Sequence, residues 1–252
     1  MTAPSDVFDR GYADRFPPLP HPGNDVTLRI IDAGIAVILL LLLMPMLAII
    51  SAAILIDSRG GVLYRQRRVG ADGRVFTMCK FRSMRTGVHG PHVTVGNDAR
   101  ITRVGQILRK TSLDELPQLW NVIAGHMSLV GPRPETPDLA RRYSEPCQEI
   151  FRYRPGMTGP GQLRFRDHDL TPPPGIDVEE WYLSVVVPAK VSCDLEYLQE
   201  FTLRTWLVTL LETAGHLLRS TVRNRETSSR SGLLRSHTAG DRTSCETDLA
   251  QK

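Results

Sequence analysis

Cysteine is scarce and dispersed in this chain. Its 252 residues hold four, Cys79, Cys147, Cys193 and Cys245, with no Cys-x-x-Cys pair. That spacing argues against a disulfide framework and a structural zinc site, and a reducing cytoplasm is the natural setting. Acids are scarce from Gly60 to Lys110, where eleven Lys or Arg stand against two, Asp72 and Asp98. Such a patch suits anions: nucleotide phosphates, anionic lipid headgroups or nucleic acid. A merely solvated face is the bland alternative. Aromatics are few there too: between Arg65 and Lys110 only Phe76 and Phe81 occur, with no zinc or helix-turn-helix pattern. A nucleic-acid reader would need more. No internal repeat is present, and charge is missing altogether from Ala33 to Ile56.

That charge-free run is 24 residues long, enough to cross a bilayer as a helix. Pro45 sits near its centre, where it removes a backbone hydrogen bond and kinks the helix. The run starts too late, and lacks the small-residue cleavage site, for a secretory signal. Arg29 precedes it, and Arg59, Arg65, Arg67 and Arg68 follow. Basic residues at both ends fit a helix-break-helix hairpin returning to one face; a kinked single span stands beside it on equal terms.

Beyond the run, Val62 to Tyr64 and Val75 to Phe81 read as strands of a hairpin around Ala71 to Gly73. Helices are expected over Ile101 to Arg109, Asp114 to Ile123, about Asp138 to Tyr153, and Ala189 to Leu218. Arg154 to Gly175 reads as irregular. The last helix carries Trp206 and suits either a membrane interface or a packed core. Met1 to Asn24 is polar and Pro-rich, a loose arm, and Arg219 to Lys252 has the composition of a disordered tail.

The richest chemistry lies in Asp98 to Glu135. There the adjacent carboxylates Asp114 and Glu115 sit between Arg100, Arg103, Arg109 and Lys110 and a Gly-Pro-Arg-Pro turn, Gly131 to Pro134. One acid can attack phosphorus or hold a metal while the cations neutralise phosphoryl oxygens. Ser112-Leu113-Asp114-Glu115 also matches a capping box, the plain structural explanation. Pro117 places the helix start at or just before Asp114. The helix dipole would there favour an ionised Asp114, and Glu115, pointing elsewhere, could ligate Mg²⁺.

The segments RQRRVGADGRVFTMCKFRSMR (Arg65 to Arg85), DARITRVGQILRKTSLDELPQLWNV (Asp98 to Val122), MSLVGPRPE (Met127 to Glu135) and RPGMTG (Arg154 to Gly159) closely resemble the bacterial sugar transferases. These are the monotopic polyprenyl-phosphate phosphoglycosyl transferases. The resemblance spans roughly Thr27 to Leu218, and four ordered motifs make it specific. It implies transfer of a sugar 1-phosphate from a UDP-sugar to a polyprenyl phosphate, with UMP released through a covalent aspartyl intermediate, at the start of glycan assembly. It makes Asp114 the nucleophile and Glu115 its Mg²⁺-binding partner. Lys80, Arg109 and Arg133 become phosphate-site cations, Arg154 a residue near the nucleotide, and Asp194 a late acid of the site. Pro45 becomes the break of a re-entrant membrane helix. Departures from the family pattern are Pro160-Gly161-Gln162 for Trp-Ala-Gln, Met44 for Ser, and His126 for an acid.

The expected architecture is α+β and mostly helical, a membrane-anchored catalytic domain with an N-terminal re-entrant element and a small β-hairpin. Its parts would be an arm (1–24), a membrane-inserted helical hairpin (25–58), a cytosolic transferase domain (59–218) and a tail (219–252). The chain reads as the minimal catalytic form, at the cytoplasmic face of a bacterial inner membrane. Its expected partners are UDP-sugar, polyprenyl phosphate and membrane lipid, with no nucleic acid and room for a homodimer. A membrane-anchored nucleic-acid-binding regulator and a non-catalytic scaffold are the competing classes.

Overall fold

A computed structural model describes residues 7, 8, 12, 26–85, 98–165, 172, 173 and 175–217. The chain divides into a main unit, Met1–Thr213, and a second, Ala214–Lys252, in which residues 214–217 are described and are helical. The expected tail lies outside the described residues. So does most of the expected arm, but Val7 and Tyr12 are buried in the main unit's core, Phe8 stacks on Tyr12, and Val7 N–H donates to the Gly73 carbonyl at 3.2 Å.

Helix α1, Val26–Asp57, is the long apolar element and runs through Pro45 as one helix, where two helices around a break were expected. Strands β1 (Leu63–Val69) and β2 (Val75–Phe81) pair antiparallel, with Leu63 opposite Phe81 and Val69 opposite Val75. The expected first strand was too short, because the four polar residues of Arg65 to Arg68 mask its alternation. The turn between them is one turn of 3-10 helix, Ala71–Gly73, with Asp72 left-handed at φ 55°. β2 alternates, so Phe76, Met78 and Lys80 share one face. Phe76 and Met78 enter a core with Leu28 and Ala36 of α1, and Lys80 continues that face.

Helix α2, Arg103–Thr111, starts two residues later than expected because Thr102 is its N-cap, accepting the Gly105 N–H. The expected helix from Asp114 to Ile123 is two pieces: a 3-10 helix, Leu113–Gln118, then α3, Leu119–Ile123. Pro117 has no N–H to give, and 3-10 geometry is common in such short stretches. Ser112, left-handed at φ 57°, makes no side-chain cap bond there, so the capping box does not form. Asn121 of α3 stitches this unit to β2, accepting the Cys79 N–H at 3.1 Å and donating to the Thr77 carbonyl at 2.8 Å.

The expected helix over 138–153 is broken into α4 (Pro137–Ala140), α5 (Glu145–Gln148) and a 3-10 turn (Glu149–Arg152). Pro146 in the first turn of α5 cannot continue a preceding helix. A two-stranded parallel pair, β3 (Ser128–Val130) with β4 (Gly156–Thr158), was not foreseen; three residues show no period. The stretch expected to be irregular contains β4 and α6 (Pro160–Arg164). The final helical region is α7 (Val178–Trp181), a π turn (Tyr182–Val186), α8 (Val187–Gln199) and α9, 203–213 within the main unit. Thr202 interrupts it by accepting the Thr205 N–H at 3.0 Å, a helix start. Trp206 is buried in the core with Leu28 and Ala36, so the packed-core alternative describes it.

Candidate functional site

Asp114 and Glu115 sit in the 3-10 helix that follows the left-handed turn at Ser112. Two cations reach Glu115 from different elements. Lys80 Nζ, at the end of β2's buried face, donates to Glu115 Oε1 at 3.1 Å, and Arg133, from the turn after β3, donates to the same oxygen at 2.8 Å. Burial opposes ionisation of Glu115, yet Arg133 and Lys80 together hold its carboxyl well below the usual range. Asp114 goes the other way. Burial raises its pKa and the Glu115 charge adds to that, outweighing Lys80, Arg109 and Arg133. The expected dipole-stabilised, easily ionised Asp114 is thus corrected, because a six-residue 3-10 helix offers little dipole against desolvation. Desolvation also lowers Lys80, with the Arg133 charge second. Arg109 acts on Asp114 through its charge.

Glu115 and Arg133 border a cavity of about 340 Å³, whose lining does not include Asp114, Lys80 or Arg109. Ser112, Glu115 and Arg133 line it together with Gln162, Lys190 and Asp194. Asp194 on α8 accepts the Gly161 N–H at 2.8 Å. A Cβ at Gly161 would lie 2.9 Å from that carboxylate oxygen, so a backbone without a side chain is what lets α6 close on α8. Burial pushes the Asp194 pKa up to about 7. Arg154 is not brought to this cavity. It lies among Arg29 and Asp32, and its buried Nε has no hydrogen-bond partner among the described residues. Pro45 belongs to α1, outside the cluster.

Sequence reasoning passed over Glu135. Its Oε1 accepts from Arg68 at 3.1 Å and from the Thr136 N–H at 2.8 Å, while Oε2 accepts from the hydroxyls of Tyr143 (3.3 Å) and Tyr182 (3.2 Å). Glu135, Tyr143 and Tyr182 all line the cavity. The signal available was an acid closing the Met127 to Glu135 motif, which had been given no role.

Among the described residues no three His, Cys, Asp or Glu side chains converge as a metal cluster. The dyad is compatible with a sparser site. Both hydrogen bonds to Glu115 fall on Oε1, and Oε2 takes none among the described residues. Mg²⁺ is commonly held by one or two carboxylates, with phosphates and waters completing its shell. The residues present therefore fit that ion.

The bacterial sugar transferase family matches residues 23–220. A "UDP-glucose:undecaprenyl-phosphate glucose-1-phosphate transferase" of Caulobacter vibrioides is 37% identical over 206 residues, covering 80% of this chain and 73% of the relative. One of the same name from Escherichia coli is 37% identical over 185 residues, 71% of this chain and 37% of the relative. An "exopolysaccharide production protein PSS" of Rhizobium leguminosarum is 45% identical over 148 residues, 55% of this chain and 74% of the relative. With the family matched along most of its length, this chain belongs to the bacterial sugar transferases.

Proposed function

We propose that this chain transfers a sugar 1-phosphate from a UDP-sugar to an undecaprenyl-type polyprenyl phosphate, releasing UMP. One observation carries the reading: Glu115 is doubly hydrogen-bonded by Lys80 and Arg133, Asp114 stands beside it, and Glu115 and Arg133 line a cavity. In the first half-reaction an Asp114 carboxylate oxygen attacks the β-phosphorus. The bond from that phosphorus to the bridging oxygen breaks, and its electron pair leaves with UMP. In the second, a polyprenyl phosphate oxygen attacks the aspartyl phosphate and frees Asp114. Lys80 and Arg133 face the charge that spreads over the phosphoryl oxygens, with Arg109 adding to the field. Glu115, fixed by its two cations, would hold Mg²⁺, which when bound neutralises phosphate charge. Asp194 and Gln162 also line the cavity, where the donor's sugar or base would rest.

The same reading places α1 in the cytoplasmic leaflet as a re-entrant anchor. Leu28, Asp32 and Ala36 are buried in its first half, and Ile50 and Ile54 near its end. Val37, Ile38, Leu41, Leu42, Met44 and Ile49 between them are exposed. Residues of both halves therefore pack on the rest of the main unit, while Val26, Ile30, Leu55 and Ile56 towards the ends and the residues around Pro45 offer apolar surface to lipid. A bend at Met44-Pro45 would return both ends to one face, and the basic residues at both ends would then sit beside anionic headgroups.

The test is UMP release by the purified protein in nanodiscs, with Mg²⁺, polyprenyl phosphate and a panel of UDP-sugars. At least one donor should yield UMP and a polyprenyl diphosphate-linked sugar. No UMP from any donor overturns the reading and leaves the scaffold class standing.

A further inference from the structure

Polar side chains at both ends of α1 are committed to the segment that carries Asp114 and Glu115. Near its start, Arg29 donates to the carbonyls of Val122 and Ile123 at the C-terminus of α3, the latter at 2.7 Å. At its other end, Asp57 accepts the Val104 N–H at 2.9 Å, in the first turn of α2. Buried Arg82 holds the loop that follows α1, donating to the Ser58, Arg59 and Gly61 carbonyls at 2.8, 2.7 and 2.6 Å. Helix ends leave four N–H and four C=O groups without intrahelical partners. Here α1 supplies partners to the N-terminus of α2 and the C-terminus of α3, the two outer ends of one continuous α2–3-10–α3 segment. The dyad lies between those ends, in a six-residue 3-10 helix with poor hydrogen-bond geometry of its own.

We propose that Arg29 and Asp57 are positioning residues for the transfer: together they hold both ends of the dyad segment, so that the pose of α1 sets where Asp114 stands relative to Lys80 and Arg133. Misplacement of a reacting group by about 1 Å costs on the order of a hundredfold in rate. A tie at each end is therefore a direct control on the attack step. The inference rests on the proposed transfer.

Its test uses the full chain in nanodiscs with UDP-sugar and no acceptor. The amplitude of the UMP burst counts competent molecules, and its rate constant reports the attack by Asp114. Arg29→Met and Asp57→Leu should slow the burst about tenfold or more while the amplitude and the half-saturating UDP-sugar concentration stay within about twofold. Asp57→Asn, which keeps an acceptor for Val104, should recover the wild-type rate, and Arg29→Lys part of it. Amide exchange over 113–118 should quicken in the Met and Leu variants and stay unchanged over β1 and β2. Wild-type burst rates in those two variants, or a loss confined to amplitude, overturn the inference while leaving the transfer intact. Unaltered exchange over 113–118 overturns it independently of activity. A wild-type protein that gives no burst on any UDP-sugar removes the transfer reading and this one with it.

Discussion

At Asp114, burial and the neighbouring Glu115 charge favour the protonated acid, against the pull of Lys80, Arg109 and Arg133. In the proposed transfer only the carboxylate attacks phosphorus, so the reaction should lose rate as pH falls through this raised pKa. The acid limb of the UMP-burst rate should therefore lie above the ordinary value of 3.8. A limb at or below 3.8 contradicts the desolvated nucleophile. Asp194 gives a stability prediction. Its pKa is raised to about 7 in the folded protein by burial, against 3.8 for a free carboxyl. Folding then favours the protonated form, a contribution fully present below pH 3.8 and lost as pH rises through about 7. Asp194→Asn still accepts from Gly161 but cannot ionise. Unfolding measured from pH 4 to 8 should show wild type losing stability relative to this variant by a few kcal/mol, at about 1.4 kcal/mol per unit. Parallel curves would contradict the assignment. Asp114, Glu115, Lys80 and Arg133 stood out in sequence because a charged pair beside a Gly-Pro-Arg-Pro turn is legible in one dimension. Glu135 did not. Its tyrosine partners come from α7–α8 and the loop after α4, and no local pattern announces hydroxyls converging from separate elements.

Among the elements, α2 lies close against the chain that follows β2. A Cβ at Gly105 would stand 2.0 Å from the Ser83 carbonyl oxygen, so any side chain there pushes α2 away from the strand end that carries Lys80. Gly105→Ala should cost about 1–3 kcal/mol by overpacking and slow the UMP burst, since α2 leads directly into the dyad. Unchanged thermal stability would show that the contact relaxes freely. The hairpin and α2 were legible from alternation and from an amphipathic face. The dyad's 3-10 geometry was not, because a capping-box pattern and a 3-10 start share the same residues and only the left-handed Ser112 separates them. Pro146 is the local signal for the fragmentation of 138–153. The β3–β4 pair depends on close backbone approach at glycines far apart in sequence, which no window reveals.

For the whole molecule, the question is where the lipid lies. The apolar run and its proline were plain in the sequence, but periodicity alone could not choose between hairpin and span. In the structure the run is a single helix, Val26–Asp57, with residues of both halves buried, and topology labelling separates the two arrangements. Single cysteines at Thr27 and Gly60, in a background without Cys79, Cys147, Cys193 and Cys245, should label with a membrane-impermeant reagent from the same side of sealed vesicles. Labelling from opposite sides makes α1 a kinked span. In the proposed function, anchor, cationic frame and cavity serve one act, the capture of a sugar phosphate by Asp114, and that act can be trapped. The protein in nanodiscs is given UDP-sugar without polyprenyl phosphate, and its peptides are weighed after the UMP burst. The account predicts one UMP per competent molecule and a sugar-phosphate mass on the peptide containing Asp114, absent from Asp114→Asn. UMP release with no adduct, or an adduct that persists in Asp114→Asn, would contradict it.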